Sequence, residues 1–411
     1  MAMDDHRRVM ASLLELPSCT LITTGRAGTD FLQSLLDSHP EILTFNGSLF
    51  FHSFWDSSLC VAAGEYEVSD LIDEFIGKHI YKLKSRYDLF ENKHRLGDDF
   101  DQSLDIDLDR FKRETLAFLD GQPLTSRTVL TAIYGAYATC LGQDLEKKKL
   151  FFHHVHHFDA LPSYLRDFPD SKIICMTRDP RANFVSSVEH HRNDDRTYGR
   201  GGIDQDQGAA LLFYIARILN DSLPLRKYPN SYVVVRIEDL GDEAVLEALR
   251  GWLGISDDES LRRSTWGGLR WHGDRLSAKT SQAVGWSRTI LENEWERRLA
   301  ATDKYVLNYI MLPRLKHYGY THRDVGVLDA FAVPLLILLP LSYERRFLSF
   351  SYLREAIQRR ALRKLGRNLL AYVRRVFLFL KFYYRVTKRV GFSEPLLTSE
   401  SRVAGQPLGS E

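Results

Sequence analysis

One stretch constrains the fold of this chain more than any other. It reads Cys19-Thr-Leu-Ile-Thr-Thr-Gly-Arg-Ala-Gly-Thr-Asp-Phe-Leu-Gln-Ser-Leu-Leu-Asp-Ser-His-Pro40. A β-branched run, Thr20 to Thr24, ends at a glycine-flanked arginine. It passes straight into Phe31, Leu32, Leu35 and Leu36, apolar at helical spacing. A strand, a tight glycine loop and a helix N-terminus in that order form an anion cradle, because loop amides and the helix dipole both favour negative charge. Gly25 and Gly28 allow the backbone angles this requires, and Arg26 adds a planar, permanent cation suited to a tetrahedral oxyanion. The nucleotide-triphosphate loop is a different object: it needs two glycines five apart and a lysine, and neither is present here.

A second segment repeats the architecture. In Ser171-Lys-Ile-Ile-Cys-Met-Thr-Arg-Asp-Pro-Arg-Ala-Asn-Phe-Val-Ser-Ser-Val-Glu-His190, the run Ile173 to Met176 reads as a buried strand. Arg178 lies at its carboxyl end, Pro180 near the start of the next helix, and Ser186 and Ser187 inside it. In open α/β sheets, ligands bind beyond the carboxyl ends of the strands. Both arginines occupy such ends, so the joint reading is one anion site at each end of an adenosine.

The two segments together resemble the sulfotransferases that use 3′-phosphoadenosine-5′-phosphosulfate (PAPS). Gly25-Arg26-Ala27-Gly28-Thr29 is similar to that family's 5′-phosphosulfate loop, and the following helix ends in the expected His39-Pro40. Arg178-Asp-Pro-Arg-Ala-x-x-x-Ser186 is similar to its 3′-phosphate motif, and Arg236-Ile-Glu-Asp-Leu240 stands where many members carry Tyr-Glu-Asp-Leu after the strand Tyr232 to Val235. The resemblance spans about residues 17–322 and closes on Trp266, Trp295 and Tyr318-Gly-Tyr320. It implies an α/β fold, a central parallel sheet flanked by helices with a PAPS-binding phosphate loop, over residues 1–325. Residues 50–150 would form a helical insertion that recognises the acceptor. PAPS would be the co-substrate, with no metal. Gly25, Arg26, Ala27, Gly28, Thr29 and Asp30 would surround the 5′ phosphosulfate, Arg178 and Ser186 would hold the 3′ phosphate, and Arg26 would also neutralise the leaving oxygen.

The base is where the chain departs from the family pattern. Many members carry a glutamate shortly after His-Pro, whereas this chain has Thr44-Phe-Asn-Gly-Ser48, with no acid between Glu41 and Asp56. The family's lysine, counted back from Phe168, falls on His153. The base histidine of its soluble small-molecule branch, counted back from Arg178, falls on His156. Both lie in Phe151-Phe-His-His-Val-His-His-Phe158, so His153 and His156 are the expected catalytic pair, with His52 and Glu41 as weaker candidates. A neutral imidazole suits either role near neutral pH. On a regular strand His153, Val155 and His157 share one face, and His154 and His156 the other. Asp30, where the family has Thr or Ser, would repel a bound phosphosulfate unless it points away.

With 44% hydrophobic residues, 411 positions are ample for one large α/β domain and an appendage. Cys19, Cys60, Cys140 and Cys175 are widely spaced with no disulfide or metal pattern, as in a reducing compartment. No secretory signal precedes the first strand. The acidic run Asp98 to Asp109 reads as a solvated loop and helix start. Tyr198 to Ile203 and Trp271 to Ser281, the latter with Arg275 and Lys279, read as loops able to cover the site.

The net charge of +1 hides an asymmetry. Residues 344–390 hold fourteen Lys and Arg against two Glu, leaving 41 basic against 52 acidic residues elsewhere. This segment carries a helical stripe: Leu353, Ile357, Ala361, Leu365, Leu369, Val373, Phe377, Leu380 and Tyr384. Ahead of it, Ala330 to Leu341 is apolar, too short to span a bilayer and interrupted by Pro334 and Pro340. Residues 326–395 are therefore expected as an apolar, then basic amphipathic helical extension, and 396–411 as a disordered tail. The basic helix suits an anionic membrane surface, or a contact with an acidic body or a second helix. Nucleic acid is not expected, and the oligomeric state is open. The expected location is cytoplasmic, peripheral at the membrane.

The leading function is sulfuryl transfer from PAPS to a hydroxyl of a small molecule or glycan, such as a saccharide or lipid-linked glycan. The alternatives are a catalytically degenerate scaffold of the same fold, and a phosphotransferase, which would need the missing lysine.

Overall fold

Runs of β-branched and apolar residues buried on both faces build parallel strands. The computed structural model, which describes residues 3–23, 25–64, 66–197, 207–220, 227–273, 285–286, 295–389, 391–392 and 395–398, contains five of them. They are β1 (Ser18–Thr23), β2 (Ile42–Leu43), β3 (Leu150–His157), β4 (Lys172–Thr177) and β5 (Tyr232–Arg236). Every pairing is parallel, in the order β2-β3-β1-β4-β5, so β1 lies at the centre between β3 and β4. The expected fold class is the one observed.

Alternate residues of each strand feed two cores. Ile22, Phe151, Val155, Ile173, Cys175 and Val234 face one side, packed by the helices Ser126–Cys140 and Pro180–Thr197. Leu21, Phe152, Ile174, Met176 and Val235 face the other, with Leu32 and Leu36 of the loop helix Thr29–Leu36 and Val245 and Leu249 of Glu243–Leu253. The insertion after β2 is largely helical, and the acidic run leads into the helix Leu108–Leu119 at Asp107, whose carboxylate caps it by accepting from Arg110 N.

Regular alternation fails once, in β3. Leu21 pairs with His154, but Ile22 pairs with His156, so Val155 is an extra residue in the ladder. His156 sits in the left-handed region at φ 71°. A bulge of this kind re-aims the side chains that follow it.

The extension 326–395 does not form a core of its own. Val333, Ile337, Phe379 and Phe382 join the same cluster as Phe184 and Ile215 of the α/β body. Arg375 is buried against Glu344 (Nη2 to Oε2 2.7 Å, Nε to Oε1 3.0 Å) and donates to the carbonyls of Ile337 and Leu339, tying the helix Leu362–Thr387 to the end of Val327–Ile337. The expected stripe divides: Ala361, Leu365 and Leu380 pack in part, Leu369, Val373, Phe377 and Tyr384 face out, and the fully buried residues of the helix are Asn368, Ala371, Arg375, Phe379 and Phe382. Val376 and Tyr383 are also partly packed, so this helix is apolar on two adjacent faces.

The tail expectation also needs correcting at its start. Val234 N donates to Pro395 O and Leu397 N to Val234 O, so Leu396 and Leu397 cover the free edge of β5, with Leu397 buried. Residues 399–411 lie outside the described residues, as do Thr24, 198–206 and 274–284.

Candidate active site

Beyond Thr23 the backbone leaves the strand region at once: Gly25 has φ 107°, Arg26 40° and Gly28 85°. Successive left-handed residues let backbone NH groups converge on an anion, and a strained arginine among them is typical of a functional loop. Gly28 caps the loop helix. A Cβ there would stand 2.2 Å from Ile237 Cδ1, and the φ is wrong for an L side chain. Gly28→Ala is expected to cost about 2–4 kcal/mol, read as a lowered urea midpoint at unchanged m-value; a loss below about 0.5 kcal/mol would contradict the strain argument.

Two contacts hold the loop down. Thr23 Oγ1 accepts from Gly25 N (3.2 Å), and Asn183 Nδ2 donates to Gly25 O (2.9 Å). Asn183 is fully buried in the first turn of Pro180–Thr197. Sequence reading passed over it, although it sits inside the Arg178 motif, on the same helix face as Ser186 and Ser187.

Arg178 follows the last residue of β4, and Ser186 lies two turns into the next helix. Arg26 Nε stands 3.5 Å from Ser186 Oγ, so the loop and this helix meet directly. Burial lowers the Arg178 pKa, Glu238 opposes that, and Arg26 adds to the lowering. The two guanidiniums thus repel, and Glu238 and Asp179 offset part of that repulsion. Glu238 is fixed by Asp179 N (3.0 Å) and Tyr320 OH (3.2 Å), which gives the Arg236-Ile-Glu-Asp segment its place. Arg181 faces elsewhere, paired with Asp179 and lying 4.1 Å from the Trp295 ring. Ala27 and Thr29 are buried under the loop.

The histidines separate. His153 is 1% exposed, donates to or accepts from Tyr134 OH at 2.7 Å, and stacks on Tyr164. It lies inside the core, on the face away from the loop helix, so the structure does not bring it to the loop. His52 pairs with Asp167 (3.0 Å), and Glu41 with Lys149 and Ser256 N at the amino end of the sheet.

His156 stands beside the root of the loop, opposite Ile22. Its Nδ1 is 3.0 Å from His154 Nε2, and His154 Nδ1 is 2.7 Å from Gln33 Oε1. Gln33 Nε2 must donate to the Phe45 carbonyl (2.8 Å), which can only accept. That direction propagates: His154 carries its proton on Nδ1, His156 donates from Nδ1, and His156 Nε2 holds a lone pair. Burial, reinforced by His157, Arg217 and Lys82 against Glu91, holds His156 at about 3, so it is neutral at pH 7.

Asp30 Oδ1 lies 3.9 Å from His154 Nδ1. It leans toward β3, and its charge also acts on Lys82. Lys82, Glu91 and Lys93 come from the insertion: Glu91 Oε2 is 2.5 Å from Lys93 Nζ, and Lys82 Nζ is 3.5 Å from Glu91 Oε1. Both lysines are buried, and together they outweigh desolvation to hold Glu91 at about 2. All three close on Gly47, whose missing side chain leaves them room. No local pattern in the sequence signals this cluster, because residues 33, 47, 82, 91 and 154 meet only in the fold.

A parallel α/β sheet with a glycine-flanked arginine loop after its central strand and a second arginine after the neighbouring strand suits a group-transfer protein. The chain belongs to the sulfotransferase family, whose sequence model matches residues 20–259. Two solved structures are similar. The sulfotransferase domain from the Synechococcus PCC 7002 olefin synthase is 17% identical, covering 79% of this chain and 96% of that one at a TM-score of 0.33. The sulfotransferase domain from the curacin biosynthetic pathway is 14% identical, covering 75% and 99% at 0.34. Comparison with curated proteins gives no match.

Proposed function

We propose that the chain transfers a sulfuryl group from PAPS to an acceptor hydroxyl of a small molecule or glycan. The observation that carries this reading is the meeting of Arg26, Arg178 and Ser186 beyond the carboxyl ends of the two central strands, from segments distant in sequence. Residues 25–30 and the loop-helix amides suit the 5′ phosphosulfate, and Arg178 with Ser186 suits the 3′ phosphate. In the transfer, the sulfur–oxygen bond to the 5′ phosphate breaks and one to the acceptor oxygen forms. Charge on the leaving oxygen is met by Arg26 and the loop amides. The acceptor proton passes to His156 Nε2, whose ring is held by His154 and Gln33.

Calorimetric titration with 3′-phosphoadenosine-5′-phosphate tests the donor. The intact protein is expected to bind with a dissociation constant of about 1 µM. Arg178→Ala is expected to weaken binding about 100-fold, the scale for removing one partner of a desolvated charge contact. No heat from the intact protein overturns the nucleotide reading. Binding without turnover of PAPS on a panel of sugars and phenols would turn the conclusion toward a degenerate scaffold.

A further inference from the structure

We infer that the outer face of the two C-terminal helices docks on an anionic lipid surface. Helices Val327–Ile337 and Leu362–Thr387 lie side by side and antiparallel, since Tyr383 OH donates to Ala330 O (2.8 Å) and Tyr372 OH to Leu338 O (2.5 Å). Their inner faces are buried in the body of the protein, and their outer faces stay apolar. Leu328 is 82% exposed, Phe331 72%, Leu335 69% and Leu338 52%, spaced as one stripe of the shorter helix. On the longer helix Leu369, Val373, Phe377 and Tyr384 form a second stripe, with Phe377 68% exposed.

Charge decides what covers this platform. Counting 100° per residue, Arg363, Arg374 and Lys381 fall on the flank of the exposed stripe opposite the shorter helix, and all three are exposed. The one buried arginine of this helix, Arg375, is neutralised by Glu344. An apolar strip bordered by cations is the arrangement of an element lying in a lipid interface, with the strip in the acyl boundary and the cations among phosphates. No helix among the described residues is long and apolar enough to cross a membrane, so docking is in the plane of the surface. The platform uses four residues of the expected stripe, Leu369, Val373, Phe377 and Tyr384, and adds to the segment 344–390 the exposed side of the helix before it.

Co-sedimentation of the full chain with vesicles tests this. Binding is expected to vesicles with about 30 mol% phosphatidylglycerol, to be at least tenfold weaker to pure phosphatidylcholine, and to fall as salt rises. Phe331→Asp/Leu335→Asp and, separately, Arg363→Glu/Arg374→Glu/Lys381→Glu are each expected to reduce binding at least tenfold, with the circular-dichroism spectrum unchanged. All five positions are exposed, so folding is not the readout. Absence of vesicle binding overturns the inference. So does equal binding by the charge-reversed variant, or by neutral vesicles. A dimer at about 10 µM in light scattering that Phe377→Asp dissociates, without lipid binding, would assign the face to a second copy instead.

Discussion

His156→Ala is expected to lower kcat for sulfuryl transfer by about 10²–10⁴-fold, the range for removing a positioned general base, while leaving 3′-phosphoadenosine-5′-phosphate affinity within about twofold. The split follows from where the ring sits. His156 lies next to the loop but belongs to β3, and its Nδ1 hydrogen bond runs backward to His154. Gln33→Leu is a positioning variant: it removes the acceptor that fixes the His154 tautomer and is expected to cost about tenfold in kcat. The pH profile separates this base from an exposed imidazole. A base at about 3 stays neutral from pH 8 to 6, so kcat/KM is expected to be flat there. An ordinary imidazole at 6.5 would lose about three quarters of its activity by pH 6. Loss of that size, or unchanged kcat in His156→Ala, removes His156 from the role.

Acidification is expected to destabilise the protein steeply between pH 6.5 and 5. Burial holds His153 and His154 well below the normal value of 6.5, His156 at about 3 and His157 at about 4. The folded state therefore keeps these rings neutral while the unfolded chain binds protons. Their contribution is fully present above pH 6.5 and is lost as pH falls below it. His156 and His157 each cost about 2 kcal/mol between pH 7 and 5, and His153 and His154 act in the same direction. Asp37 works the other way: burial, opposed by Gly268 N and Thr265, raises it to about 6, which offsets about 1 kcal/mol over the same span. The net loss is several kcal/mol, against the 5–15 kcal/mol of an ordinary domain. Urea midpoints at pH 7, 6 and 5 measure it, and 0.5 M salt is expected to change the slope little because the rings are buried. A total loss under about 2 kcal/mol would show that the cluster admits protons or water in the folded state.

The histidine run shows how far residue order reaches. Both His153 and His156 were reachable from sequence as candidates, and strand alternation placed them on opposite faces. What separated them was Tyr134 and Tyr164 closing over one and the bulge at Val155 turning the other against His154. Lys82, Glu91 and Lys93 were invisible for a related reason. Their charges read as ordinary surface residues until the insertion folds back over Gly47. In the extension, periodicity found an apolar stripe, but the core took its neighbour.

By itself, the sequence determined a parallel sheet with a glycine-flanked arginine loop after its first strand, a second arginine after a later strand, and a basic helical end. Those features are written in contiguous residues, where glycine geometry, helix periodicity and strand burial act over a single turn or strand. Tertiary structure alone decided that Asn183 pins the loop, that Arg26 meets Ser186, which histidine stands beside the root of the loop and which helix face stays exposed. Each of these depends on which distant segment supplies the partner, and burial competes among alternatives that local patterns leave equal.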